Sequence, residues 1–142
     1  LHFNWHCVED RGLIVPDREA SLYGMVEDYC NKYKGIRFIE IGGTITHVHL
    51  AVQIEPFATP SEFIGKVKGF SSHEFNKRYG AASMQWQRGY GVVSFAAANT
   101  QGVCNYIKNQ KLHHRNGRVR EKLELHFQDL PEGTYIEGEE AE

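Results

Sequence analysis

Residues 46–54 read THVHLAVQI, and in an extended chain their side chains must alternate between two faces. Val48, Leu50, Val52 and Ile54 then share one face, and His47, His49, Ala51 and Gln53 share the other. A strand that is apolar on one side only belongs in an antiparallel sheet with helices packed on a single face. The two imidazoles are left on the face those helices do not cover. A lone His-x-His on a strand is weak evidence for a metal site, because two ligands hold an ion poorly and surface histidines look the same.

The other segments supply the partners of this strand. Residues 3–8, FNWHCV, alternate with Phe3, Trp5 and Cys7 on one side and form a first strand. Pro16-Asp17 opens a helix whose apolar positions Leu22, Met25, Val26, Tyr29, Cys30 and Tyr33 make one stripe, ended by Gly35. IRFIEI at 36–41 is a second strand, Gly42-Gly43 a turn, and 46–54 the third strand. Thr59 to Glu62, TPSE, has the form of a capping box with proline at the first helical position, so a second helix runs from there to about Tyr79-Gly80. A fourth strand is expected near 90–96, a further helix from Asn99-Thr100 through Tyr106, and a short helix over 117–128. The first six elements spell the βαββαβ order of an α+β, ferredoxin-like fold: an antiparallel sheet with two helices on one face. The C-terminal helix carrying Tyr106 is additional to that plan.

The 142 residues are 41% hydrophobic, enough to bury the core of one domain. That domain is expected over 1–128, followed by an acidic tail at 129–142 with the composition of a flexible segment. There is no apolar run of about 18 residues and no basic stretch leading into an apolar one, so neither a membrane span nor a secretory signal is expected. Cys7, Cys30 and Cys104 are odd in number and widely spaced, which points to reduced thiols in a cytoplasmic protein rather than disulfides or a cysteine zinc site. The net charge of −2 conceals an asymmetry, since residues 61–122 carry +8 and residues 123–142 carry −7. A segment of +8 suits phosphate backbones, although from charge alone a solvated basic face reads the same.

The segment 105–114, NYIKNQKLHH, belongs to the additional helix. Tyr106 and Gln110 are four apart and stack on one helical face, with Val103, Ile107, His113 and His114 near it. Such a stripe, interrupted by a phenol, an amide and two imidazoles, fits poorly in a dry core, where every polar group needs a partner. It fits over the sheet face that bears His47 and His49. Two imidazoles and the Gln110 carbonyl oxygen would make three neutral ligands, a mixed nitrogen–oxygen set that suits Mg²⁺ or Mn²⁺. Tyr106, one turn from Gln110, is placed to attack a phosphate. A phenol with a pKa of ~10 needs a neighbour to take or stabilise its charge before it can do so at neutral pH.

Four stretches, IEIGGTITHVHLAV, FIGKVKGFSSHEF, WQRGYGVVSF and NYIKNQKLHH, together resemble a single-tyrosine transposase of the HUH endonuclease superfamily, the TnpA type of the insertion-sequence 200/605 group. The resemblance runs from about residue 3 to 115. It implies that His47 and His49 are the metal ligands of the HUH motif, with Gln110 as the third. It implies that Tyr106 is the nucleophile, forming a 5′-phosphotyrosine and freeing a 3′-OH. Members act on single-stranded DNA, recognise hairpins near element ends, and cut and rejoin without ATP. They are homodimers in which the tyrosine helix completes the partner's site, and the same sharing is expected here. Relatives often carry an acid or amide before the first histidine, where this chain has Thr46, so no carboxylate support is expected at that position.

DNA contacts are expected from Lys66, Lys68, Arg78, Arg88, Lys108, Lys111 and Arg115, each of which solvent exposure would explain equally well. Trp86 and Tyr90 are candidates for stacking on unpaired bases, against a role in the core. His113 and His114 receive no role, and His73 and His126 read as surface residues. Two further readings remain: a domesticated relative that processes chromosomal palindromes, and a non-catalytic single-stranded nucleic-acid-binding module built on the same sheet. Cytoplasmic action at the prokaryotic nucleoid follows from any of them.

Overall fold

The computed structural model describes residues 1–115 together with Gly117 and Glu124. Its elements are β1 (His2–His6), α1 (Pro16–Lys32), β2 (Ile36–Gly43), β3 (His47–Ile54), α2 (Pro60–Tyr79), β4 (Gly91–Val93), α3 (Thr100–Lys108) and α4 (Gln110–Arg115), with short 3-10 turns at Val8–Asp10 and Ala97–Asn99. The helix expected over 117–128 lies outside the described residues apart from Gly117 and Glu124. His126, the end of the domain at 128 and the tail at 129–142 lie wholly outside them.

The sheet has the order β2-β3-β1-β4, antiparallel throughout, as the βαββαβ plan requires. Alternation sends Phe3 and Trp5 of β1, Cys7 just beyond it, and Val48, Leu50 and Val52 of β3 to one face, and all six are fully buried. They meet Leu22, Val26 and Cys30 from α1 and Phe63, Ile64, Val67 and Phe75 from α2 in one continuous core. Each large side chain so buried contributes about 1.5–3 kcal/mol. Trp86 and Tyr90 pack against this core: Trp86 stands edge-on to Trp5 at 5.8 Å and Tyr90 lies 6.1 Å from Phe3.

The opposite face of the sheet is not open. Helix α3 lies across β2 and β3, where Ala51, Val103 and Ile107 form a second, smaller apolar cluster with Ile39 and Phe95. A bulge between Phe38 and Glu40 helps to build it, because the extra residue lets Ile39 join Glu40 on the α3 side. The chain's own tyrosine helix therefore reaches its own sheet.

Four local expectations are corrected. Gly42 and Gly43 do not form the turn; they are the last residues of β2, paired with His49 and Val48, and the reversal falls at Thr44–Thr46. A side chain at Gly42 would run into the Ile107 carbonyl of α3, so glycine here lets helix and sheet approach. Helix α2 does begin at Pro60 after Thr59, but the Thr59 side chain makes no cap hydrogen bond. Strand β4 is only three residues, shorter than 90–96, because Phe95 turns away to the α3 cluster. The last helix is not continuous: Asn109 (φ −103°, ψ 23°) separates α3 from α4.

Candidate active site

The site is assembled on the face shared by β1, β3 and α3. Its foundation is register, since His6 lies opposite His47 and Asn4 opposite His49 on the neighbouring strand. His47 is 3% exposed and His49 is fully buried beneath α3. Each imidazole is oriented through Nδ1. His47 Nδ1 lies 3.0 Å from the hydroxyls of both Thr44 and Thr46, and His49 Nδ1 pairs with His2 Nε2 at 2.8 Å. These partners leave both Nε2 atoms turned toward one point, the arrangement that metal-binding histidines need. The support expected to be missing before His47 is thus supplied by two hydroxyls.

Glu124 stands at that point. Its Oε2 is 3.3 Å from His47 Nε2, 3.2 Å from His49 Nε2 and 3.4 Å from His114 Nε2, and one ligand atom from each of the four residues lies within 4.8 Å of the others. Its Oε1 accepts a hydrogen bond from the Tyr106 phenol. His47 Nε2 is buried and makes no hydrogen bond among the described residues, although the carboxylate is close. A divalent cation would satisfy that orphaned nitrogen, and the three imidazoles and one carboxylate form a suitable donor set for one. Burial alone would raise the Glu124 pKa, but the adjoining His47 and His49, with the Tyr106 phenol, hold it well below the usual carboxylate range. Full burial pushes His49 down despite Glu124, and burial likewise lowers His114. Metal binding takes histidine in its neutral form, so the downward push on His49 and His114 runs in the direction that a metal would need.

Tyr106 is 2% exposed and lies in the same site, its ring 5.9 Å from His49 at 86° and stacked on His113 at 4.9 Å. Gln110 is fully buried one turn on. Its amide donates to the Tyr106 carbonyl at 3.2 Å and its Oε1 pairs with His114 Nε2 at 3.0 Å, so it joins the cluster through His114. His6 stacks on His47 at 4.6 Å, with Asp10 bonded to its Nδ1 at 2.6 Å.

Sequence reasoning missed His2, His6 and Glu124, and it set His114 near the Tyr106 face without assigning it a role. The first two carried a signal: in HFNWHC the polar His2, Asn4 and His6 alternate with the apolar residues and must face the side that bears His47 and His49. Glu124 carried none, lying 18 residues beyond Tyr106 in a segment that sequence reasoning gave no site role.

The basic residues are scattered. The Lys68 ammonium donates to the Gln87 and Gly89 carbonyls at 2.7 Å, and its burial lowers its pKa to about 8, so it clamps a loop. Lys66 pairs with Glu62, Lys108 with Glu40, and Lys111 with Glu19 and the Gly43 carbonyl. Arg78 lies over Tyr79, while Arg115 is exposed. Arg88 borders an open cleft of about 580 Å³ with Trp86, Gln85 and Lys68.

The transposase of insertion sequence element IS200 from Salmonella typhimurium is 26% identical over 144 residues, covering 92% of this chain and 91% of that protein, and the Salmonella typhi protein matches equally. A crystal structure of a protein assigned as a transposase from Deinococcus radiodurans shares the fold with a TM-score of 0.61 at 18% identity, over 77% of this chain and 88% of that one. A REP-associated tyrosine transposase bound to a REP hairpin superposes with a TM-score of 0.58 at 12% identity, over 83% and 68%. Residues 1–110 match the family described as Transposase IS200 like, and the chain belongs to that family of DNA-processing enzymes.

Proposed function

We propose that this protein is a metal-dependent transposase of single-stranded DNA that cuts and rejoins strands through a covalent 5′-phosphotyrosine on Tyr106. One observation carries the reading: the Tyr106 phenol and the Nε2 atoms of His47 and His49 converge on the same small site. His47 and His49 would hold a divalent cation, Mg²⁺ or Mn²⁺, which when bound polarises the scissile phosphate and offsets charge as the phosphorus becomes five-coordinate. The imidazole-rich donor set favours Mn²⁺. His2 and the Thr44 and Thr46 hydroxyls fix the imidazoles, and α3 sets the phenol beside them and shields it from water. Attack by Tyr106 on the phosphate frees a 3′-OH, which serves as the acceptor for rejoining.

Hairpin-forming single-stranded DNA at element ends is the proposed substrate, supported by family membership and by the hairpin complex of the REP-associated relative. Arg88 and Arg115 are the proposed phosphate contacts best placed to act, with Lys66, Arg78, Lys108 and Lys111 contributing as the strand displaces their weak surface partners. Lys68 acts on DNA only through the loop it clamps. The same chemistry on chromosomal palindromes is the alternative that the REP-associated relative favours. A base-stacking binding module is disfavoured, because the sheet face it would use bears histidines and lies under α3. No helix among the described residues is long and apolar enough to cross a membrane, and action at the nucleoid in the cytoplasm accords with the proposed substrate.

The family resemblance implies homodimers with shared sites. The intrachain contact of Tyr106 with its own chain's cluster supports instead a site complete within each subunit of such a dimer. The chemistry is tested with a labelled single-stranded oligonucleotide from the gene's flanks, Mn²⁺, and a denaturing protein gel. Label should move onto the protein and fail to do so with Tyr106→Phe. Binding of DNA without attachment in the wild type would sink the phosphotyrosine reading.

A further inference from the structure

We propose that Glu124 belongs to the catalytic centre, one carboxylate oxygen completing the metal site with His47 and His49 and the other accepting the proton of Tyr106. The inference rests on the metal-dependent phosphotyrosine reading and adds to it a residue outside the segments that carry the family resemblance. The two oxygens are already divided between the two tasks. Oε2 faces the Nε2 atoms of His47 and His49 at 3.3 and 3.2 Å, while Oε1 holds the Tyr106 hydroxyl. Gln110, which the resemblance makes the third ligand, spends its Oε1 on His114 and its amide on the Tyr106 backbone. The chemistry also favours the carboxylate. An anionic oxygen binds Mn²⁺ or Mg²⁺ more strongly than an amide carbonyl, and it can accept a proton, which an amide cannot do at neutral pH.

The step balances within these groups. The phenol O–H bond breaks and its proton passes to Glu124 Oε1. The bond from the Tyr106 oxygen to phosphorus forms as the bond from phosphorus to O3′ breaks. The departing 3′ oxygen takes a proton from solvent, and Glu124 returns its own to solvent, so no net proton is gained or lost. In the rejoining step the same carboxyl would supply the proton to the leaving phenolate, as reversal of one path demands.

The test uses the full chain and two readouts. Mn²⁺ binding without DNA is measured calorimetrically for wild type, Glu124→Ala, Glu124→Gln, Gln110→Ala and His49→Ala. Glu124→Ala should weaken Mn²⁺ binding at least about 10-fold, the scale on which metal-site partners act, with Gln110→Ala within a few-fold of wild type. Single-turnover attachment to the oligonucleotide, at Mn²⁺ concentrations that saturate each variant, should then fall about 100-fold or more in both Glu124 variants, the scale of general base catalysis. Glu124→Gln keeps the shape of the side chain, and thermal melting confirms that each variant is folded. Wild-type Mn²⁺ affinity in Glu124→Ala beside a loss in Gln110→Ala would overturn the proposal while leaving the metal-dependent reading intact. Full attachment rates at saturating Mn²⁺ would overturn the proton role. If His49→Ala binds Mn²⁺ as the wild type does, the metal-dependent reading itself fails.

Discussion

Gly42→Ala should displace Tyr106, the proposed nucleophile, without dismantling the proposed metal site. Gly42 sits in β2 opposite His49, and an added Cβ would lie 3.0 Å from the Ile107 carbonyl carbon and 3.1 Å from its Cγ2, with the carbonyl oxygen nearer still. Carbon atoms settle at about 3.5–4.0 Å, so α3 must retreat by about 1 Å. Both obstructing groups are held by a helix, and no flexible tip can yield. Overpacking of this kind costs about 1–3 kcal/mol, or roughly 3–10 °C in melting temperature for a chain of this size. Ile107 is adjacent to Tyr106, so the phenol moves with it, and a 1 Å misplacement of a reacting group costs about 100-fold in rate. The assay is single-turnover attachment of the labelled oligonucleotide, with Mn²⁺ affinity and melting temperature measured in parallel. Attachment should fall about 100-fold while Mn²⁺ affinity changes little. Gly24→Ala is the control, because a Cβ there meets nothing within 4 Å and the helix gains about 1 kcal/mol. Undiminished attachment in a Gly42→Ala protein that melts like the wild type would refute the claim that this close approach positions Tyr106.

Three other outcomes are expected. His2→Ala removes the partner of His49 Nδ1 and should weaken Mn²⁺ binding about 10–100-fold, with His2→Gln recovering part of the loss; calorimetry decides. Burial raises the Cys30 thiol from its ordinary 9.0 to about 12, so above pH 9 the unfolded chain ionises first and stability falls until about pH 12. Urea titrations at pH 8 and pH 10.5 should show that fall reduced in Cys30→Ala; an identical fall would contradict the assignment. Mixing Tyr106→Phe with His49→Ala should restore no attachment if each subunit uses its own tyrosine, whereas recovery of activity would mean that the helix serves the partner.

Much of this molecule was legible in its amino-acid order, for reasons that can be named. The period-2 pattern of residues 46–54 placed His47 and His49 opposite the main core, and the stripe of α1 placed Leu22, Val26 and Cys30 within it. What escaped depended on contacts between distant segments. Gly42-Gly43 reads as a turn locally, and only the docking of α3 shows why the first glycine is needed. The break at Asn109 arises between two segments that each look helical. The role of Lys68 is set by two carbonyls 19 and 21 residues away. Glu124 reaches the site only because the chain returns to it.

The two clusters on either side of the sheet differ greatly in size, and this bears on how DNA enters. His47 through Val52 are buried without interruption, fastened between the large core and α3. Helix α3 is held by a much smaller apolar seat built around Ala51, Val103 and Ile107. Amide hydrogens of β3 should therefore exchange only on global unfolding, whereas those of α3 should exchange through a cheaper, local opening. Such an opening would uncover Tyr106 and both histidines together. The strand that carries His47 and His49 is thus the more firmly packed part of the site, and the helix that carries Tyr106 the less firmly packed.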